Sequence, residues 1–295
     1  MIEILEFLKW PFLASLIIAG IHAYLGVHVV ERGVIFVDLA LAQIAALGAT
    51  TGILLGMDTH SSGTYWISLG FAFLGAVVFA LARTRRVHIP QEAFIGIAYA
   101  VASAGTILVM SKAAGETEHL QHMLVGNILA VSKEEVWRTG LLYLGIGLFH
   151  WFFRKNFLLI STDPKAAEAK GLSIRLWDFL FYASFGFVVT RSVAIAGVLM
   201  VFCYLIVPSV GAMLFAERIG RRLAIGWTMG TLVSALGVYL SVVMDLPTGA
   251  TIVCTFGGVL ILMFIVHLII YHRHVPEAAS SEPELAEEAQ RSVRS

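Results

Sequence analysis

Nine long runs of apolar residues, separated by short polar stretches, set the limits on what this chain can fold into. They fall at about 10–30, 33–56, 64–82, 92–112, 136–153, 175–190, 193–216, 223–244 and 249–271. A helix needs about 20 such residues to cross roughly 30 Å of hydrocarbon. Lipid offers no partner for backbone N–H and C=O groups, so runs of this kind satisfy them internally, as helices. The expected fold class is an all-α membrane protein, a polytopic bundle of about 8–9 transmembrane helices. The lower number applies if the first run only lies on the membrane. The segment from Leu120 to Val131 is too short to cross and reads as re-entrant or interfacial.

Composition agrees. The chain is 58% hydrophobic and 14% charged, more apolar than a soluble domain of this size can bury. Its formal net charge is zero, which gives no case for nucleic acid as a partner. Cys203 and Cys254 both fall in apolar runs, against a disulfide framework or a cysteine metal cluster. The N-terminus carries Glu3 and Glu6 and no basic region, so it reads as a retained first span rather than a cleaved signal. The 27 glycines favour close helix–helix approach in lipid. Residues 1–274 are thus expected to form the membrane domain. Residues 275–295, charged and without an aromatic residue, are expected to form a disordered cytoplasmic tail.

Cations fix the expected orientation. With nine crossings, one set of loops holds Arg32, then Arg83, Arg85 and Arg86, then the cluster from Arg154 to Arg175, then Arg218, Arg221 and Arg222, then Arg273. The other set holds only Lys9, Lys112, Lys133, Arg138 and Arg191. The positive-inside rule places the N-terminus outside and the C-terminus in the cytoplasm. The localisation that follows is the cell (inner) membrane, multi-pass. Within the richest cationic loop, DPKAAEAKG (Asp163–Gly171) reads as a short capped helix. Asp163 is its N-cap, Pro164 its first residue and Gly171 its C-terminal stop. A capped helix between two spans suits docking of a cytoplasmic partner; an ordinary interspan loop is the alternative.

Polar and ionisable groups inside spans are costly and therefore candidates for function. These are His22 and His28 in the first run, Asp38 and Gln43 in the second, and Glu92 at the start of the fourth. His150 and His267 lie near the inner ends of runs, where they can reach the interface. His119 and His122, three residues apart on the outer side, share one helical face and suit a borderline divalent metal. Two solvated loop histidines are the plainer reading of the pair. The chain has no G-x-x-x-x-G-K-[ST], no H-E-x-x-H and no G-x-S-x-G. It therefore holds no nucleotide by a P-loop and shows no hydrolase signature. Any ATP that drives transport must be bound by another chain.

Five stretches in order carry a family resemblance: EAFIGIAYA (Glu92–Ala100), HLQHMLVGNILAVS (His119–Ser132), DPKAAEAKG (Asp163–Gly171), IAGVLMVFCYLIVPSVGAMLFA (Ile195–Ala216) and DLPTGATIV (Asp245–Val253). Together they resemble the integral-membrane permease of the zinc/manganese/iron ABC importers, over about residues 10–270. The resemblance implies a homodimeric permease in the lipid bilayer, a cytoplasmic ATP-binding cassette subunit for each copy and an extracytoplasmic metal-binding protein. It makes Asp163–Gly171 the short cytoplasmic coupling helix, with Asp163, Pro164, Ala167 and Gly171 facing or shaping the contact with the ATPase. No cofactor is expected on this chain itself. The transported divalent metal, zinc first, then manganese, then iron, is its cargo, and ATP belongs to the partner.

The second span departs from the family pattern. There the family carries an Asp and a His four residues apart, as in D-x-L-A-H. This chain reads FVDLALAQIAALG (Phe36–Gly48), with Gln43 at the His position, Leu39 at the Asp position and Asp38 one residue early. Five residues of helix turn about 500°, so Asp38 and Gln43 point about 140° apart unless the helix is locally irregular. His119 also stands where the family often has an acid. The tentative path ligands are therefore Asp38, Gln43, Glu92, His119 and His122. An ion-coupled secondary transporter is the alternative function, and an intramembrane enzyme pairing Asp38 with His22 or His28 a more remote one.

Overall fold

The computed structural model describes residues 2–58, 61–83, 90–111 and 128–274. Among them are eleven α-helices and no strand. They are α1 (Ile2–Arg32), α2 (Val37–Leu54), α3 (Ser62–Ala82), α4 (Gln91–Met110), α5 (Lys133–Phe152), α6 (Arg154–Thr162), α7 (Pro164–Ala169), α8 (Ile174–Ala196), α9 (Val198–Met213), α10 (Ile219–Met244) and α11 (Thr248–His274). The expected all-α membrane bundle is what forms. Each of the nine apolar runs is helical, and seven of those helices are long and apolar enough to cross a membrane. Of the other two, α9 is apolar but only 16 residues long, and α5 opens on Lys133, Glu134 and Glu135. The run expected from 193 starts only at Val198, because α8 continues to Ala196 and the chain breaks at Gly197, whose φ is 76°. The C-terminal tail, and Leu120–Val131 except for its last four residues, lie outside the described residues.

Local chemistry sets the helix ends. Before α5, Glu135 N donates to Ser132 Oγ (3.2 Å) and Ser132 N donates to Glu135 Oε2 (3.0 Å), a reciprocal capping box. Before α3, Thr64 N donates to Ser61 Oγ at 3.2 Å. After α10, Asp245 takes a left-handed backbone (φ 52°), and Leu246 N returns to Ser241 O at 2.9 Å.

The helices pack as two joined groups. In one, α1 packs against α5, α6, α9 and α10, with α11 against α9 and α10. In the other, α2 packs on α3 and α4, and α3 packs on α8. Contacts of α2 with α8 and α9, and of α8 with α9, join them. The first helix is central: 67% of its most apolar window is buried, against 11% for α11. A helix so enclosed crosses with the bundle rather than lying on it. At Gly26 the α1 and α9 backbones nearly touch, since an added Cβ would stand 2.0 Å from Leu205 O. Close approach through small residues is how helices associate where lipid and side chain are equally apolar.

Charge separates along the bundle. At one end Lys9 and Lys133 both lie over the Trp10 ring, at 5.0 and 5.8 Å, and Arg191 reaches Thr139 Oγ1 (3.0 Å) and Glu135 (4.0 Å). At the other end Arg32 and Arg83 meet Asp178, and Arg222 pairs with Glu31. On α1 these ends are marked by Trp10 and Arg32, about 33 Å apart at 1.5 Å per residue. Residues assigned to one side from sequence thus gather at one end, and residues assigned to the other side gather at the opposite end.

Candidate functional site

Asp38 lies in the first turn of α2 and is 1% exposed. Its Oδ1 has no hydrogen-bond partner. A buried carboxylate oxygen without a partner is unfavourable, so this position suits a cation or a proton. Helix α2 is regular throughout, and Gln43, half-buried, shares no face with Asp38. Glu92 opens α4. Its Oε1 accepts from Phe36 N at 3.0 Å, tying the start of α4 to the start of α2, while its buried Oε2 is unpaired. Among the described residues no three His, Cys, Asp or Glu side chains are grouped to hold a metal. His119 and His122 lie outside the described residues.

Three other imidazoles line the interior. His22 Nδ1 lies 2.8 Å from Ile18 O, a carbonyl that can only accept, so Nδ1 carries the proton and Nε2 is a bare lone pair. Ser161 Oγ donates its one hydrogen to Phe157 O (2.9 Å), so His28 Nδ1, 2.9 Å away, is the donor to Ser161. Likewise Ser184 Oγ donates to Phe181 O (2.9 Å) and accepts from His150 Nε2 (2.8 Å). His150 is 1% exposed and stacks on Phe157 at 4.3 Å, so it is a core residue and does not reach the interface. The unpaired nitrogens His22 Nε2, His28 Nε2 and His150 Nδ1, with the unpaired Tyr24 hydroxyl, give the space around α1 a buried polar lining.

Sequence reasoning missed the charge cluster below them. Arg32 Nη1 donates to Asp178 Oδ1 (2.6 Å), and Arg83 Nη1 donates to both Asp178 oxygens (2.8 and 2.9 Å). Arg32 Nε donates to Ser161 Oγ (2.9 Å), and its guanidinium lies 4.0 Å over the Phe181 ring. Gln91 Nε2 closes the layer onto Phe79 O (2.9 Å) and Tyr182 Oη (3.2 Å). Each charge sits within a turn or two of a span end, where it reads as an ordinary loop residue. The one available signal was that Asp178 is the sole acid of α8.

The segment 163–171 folds as its sequence spells out. Asp163 is at once the C-cap of α6 and the N-cap of α7, its Oδ1 accepting from Ala166 N at 3.0 Å, and Pro164 is the first helical residue. Leu172 N donates to Ala167 O (3.1 Å) and Gly171 N to Glu168 O (2.8 Å), a Schellman stop. Gly171 sits at φ 77°, open to a residue without Cβ. Helix α7 buries Ala167 against the bundle and turns Lys165, Glu168 and Lys170 to solvent. It is a rigid, charged, outward-facing knob on the cation-rich end.

The sequence profile of the ABC 3 transport family matches residues 4–267 of the chain. The manganese transport system membrane protein MntC of Listeria innocua is 25% identical over 266 residues, 88% of this chain and 90% of that protein. The chelated iron transport system membrane protein YfeC of Yersinia pestis is 25% identical over 239 residues, 81% of this chain and 79% of that protein. Among solved structures, PsaBC from Streptococcus pneumoniae in complex with Fab superposes with a TM-score of 0.75 at 24% identity, covering 89% of this chain and 94% of that one.

Proposed function

Since the chain belongs to the ABC 3 transport family, a family of metal-transport permeases and not of enzymes, we propose that it is the membrane subunit of an ATP-driven importer for manganese or iron. The observation that carries this reading is the match of nearly the whole chain to permeases named for those two metals. Sequence alone put zinc first. The relatives' cargoes favour manganese and iron, and a carboxylate oxygen such as that of Asp38 is a donor that suits manganese. ATP belongs to a separate subunit that docks on α7, through Lys165, Glu168 and the Gly171 turn. An extracytoplasmic protein delivers the ion, and His119 and His122 receive it at the entrance. Two copies of the permease form the pathway, each offering Asp38, with Gln43 and Glu92 beside the path.

The test is reconstitution of the permease with its ATP-binding subunit in proteoliposomes, with uptake and ATP hydrolysis measured for manganese, iron(II) and zinc. Uptake of manganese or iron that requires ATP is expected. ATP-dependent uptake of zinc alone would return the cargo to the first expectation. Uptake of any of the three without the ATPase subunit would refute the importer reading.

A further inference from the structure

We infer that Ser161 is the positioning residue through which movement of α7 reaches the spans, a role that rests on reading α7 as the ATPase-docking helix. Helices α6 and α7 share Asp163 as their common cap, so no slack linker separates them. Helix α7 packs on α6 and α8, and α6 in turn packs on α1, α5 and α8. Any displacement of α7 therefore moves α6. Two residues before the shared cap, Ser161 is 4% exposed and its hydroxyl is fully used. It donates to Phe157 O and accepts from both Arg32 Nε and His28 Nδ1, each at 2.9 Å. A hydroxyl has one hydrogen and two lone pairs, so these three bonds saturate it.

Arg32 carries the connection onward. The same guanidinium that clasps Ser161 binds Asp178 of α8, and Asp178 binds Arg83, next to the end of α3. One hydroxyl thus joins α6 to the last turn of central α1, and through Arg32 to both helix groups of the bundle. The side chains of Arg32 and Asp178 are 1% and 0% exposed. Buried charges tolerate a few well-paired arrangements and little between them, so such a layer shifts as a unit instead of yielding gradually. Arg32 Nη2 is already unpaired. Loss of the Ser161 contact would free Nε as well, leaving the guanidinium held by Asp178 and the face of the Phe181 ring.

The experiment uses the complete complex in proteoliposomes, recording manganese uptake and ATP hydrolysis in the same vesicles. Ser161→Ala should retain the ATPase subunit and hydrolyse ATP, yet move roughly tenfold less manganese per ATP, the scale of a hydrogen bond to a charged group. Ser161→Thr, which keeps the hydroxyl, should restore the ratio. Arg32→Lys, which keeps charge against Asp178 but loses the Nε fork, should repeat the loss. An unchanged ratio in Ser161→Ala, or in Arg32→Lys if the alanine variant does not fold, overturns the assignment. Failure of the docking reading shows separately: the ATPase subunit would then stay bound and coupled when Ala167→Asp disrupts α7.

Discussion

Arg32 Nη1 donates to Asp178 Oδ1 at 2.6 Å across 146 positions of sequence, with both side chains out of solvent. The pair fastens α1 to α8 at the cation-rich end. Arg83 shares the same carboxylate but keeps 21% of its side chain exposed.

Asp178→Asn removes the carboxylate that both guanidiniums use. Arg83 can turn to water, so the penalty falls on Arg32, at about 3–5 kcal/mol for a stranded buried charge. Thermal unfolding of the purified protein in detergent should show a large fall in melting temperature. Adding Arg32→Met should recover part of it, because the stranded charge is then gone. A single variant that melts with the wild type contradicts the pairing.

Gly26→Ala places a Cβ 2.0 Å from Leu205 O and 2.3 Å from Ser209 Oγ. Overpacking of this kind costs about 1–3 kcal/mol or more. Gly20→Ala, six residues earlier on the same helix, meets nothing within 4 Å and should be nearly neutral. Equal shifts in melting temperature for the two variants would show that α1 and α9 do not touch at Gly26.

Gly171→Val puts a β-branched residue at φ 77° and should dismantle the Schellman stop. The permease should still insert, but capture of the ATP-binding subunit and metal uptake should both collapse. Gly171→Asn should be much milder, because Asn tolerates the left-handed region. Wild-type capture by the valine variant argues against docking through α7.

Asp38→Asn separates stability from transport. Removing a buried carboxylate with an unpaired oxygen should leave the resting protein as stable as wild type or more so. Uptake of manganese should nonetheless fall at least roughly tenfold if the ion meets this oxygen on its way, the scale of losing one charged contact. Unaltered uptake would take Asp38 off the path.

What could be read in advance follows from the range of each interaction. The bundle was legible because lipid forces apolar runs into helices wherever they fall. Asp163–Gly171 was legible because every bond that shapes it spans six residues or fewer, from Asp163 to Ala166 and from Ala167 to Leu172. The phase of α2 was legible for the same reason, and the regular helix keeps Asp38 and Gln43 apart. The α8–α9 break was misplaced because the sequence is apolar on both sides of it and only the backbone of Gly197 marks it. Arg32, Arg83 and Asp178 were invisible as a set. Nothing local distinguishes two loop cations and a near-terminal acid from charges that never meet.

The separation of Trp10 from Arg32 makes α1 a ruler. One mark is a tryptophan flanked by two lysines and the other a guanidinium held by Asp178, so neither end is free to slide. Tilting is the usual way for a single helix to fit a bilayer of another thickness, but α1 is enclosed by four neighbours and cannot tilt alone. In this protein the lipid has to do the adjusting. Membranes of longer or shorter acyl chains would have to thin or thicken around it.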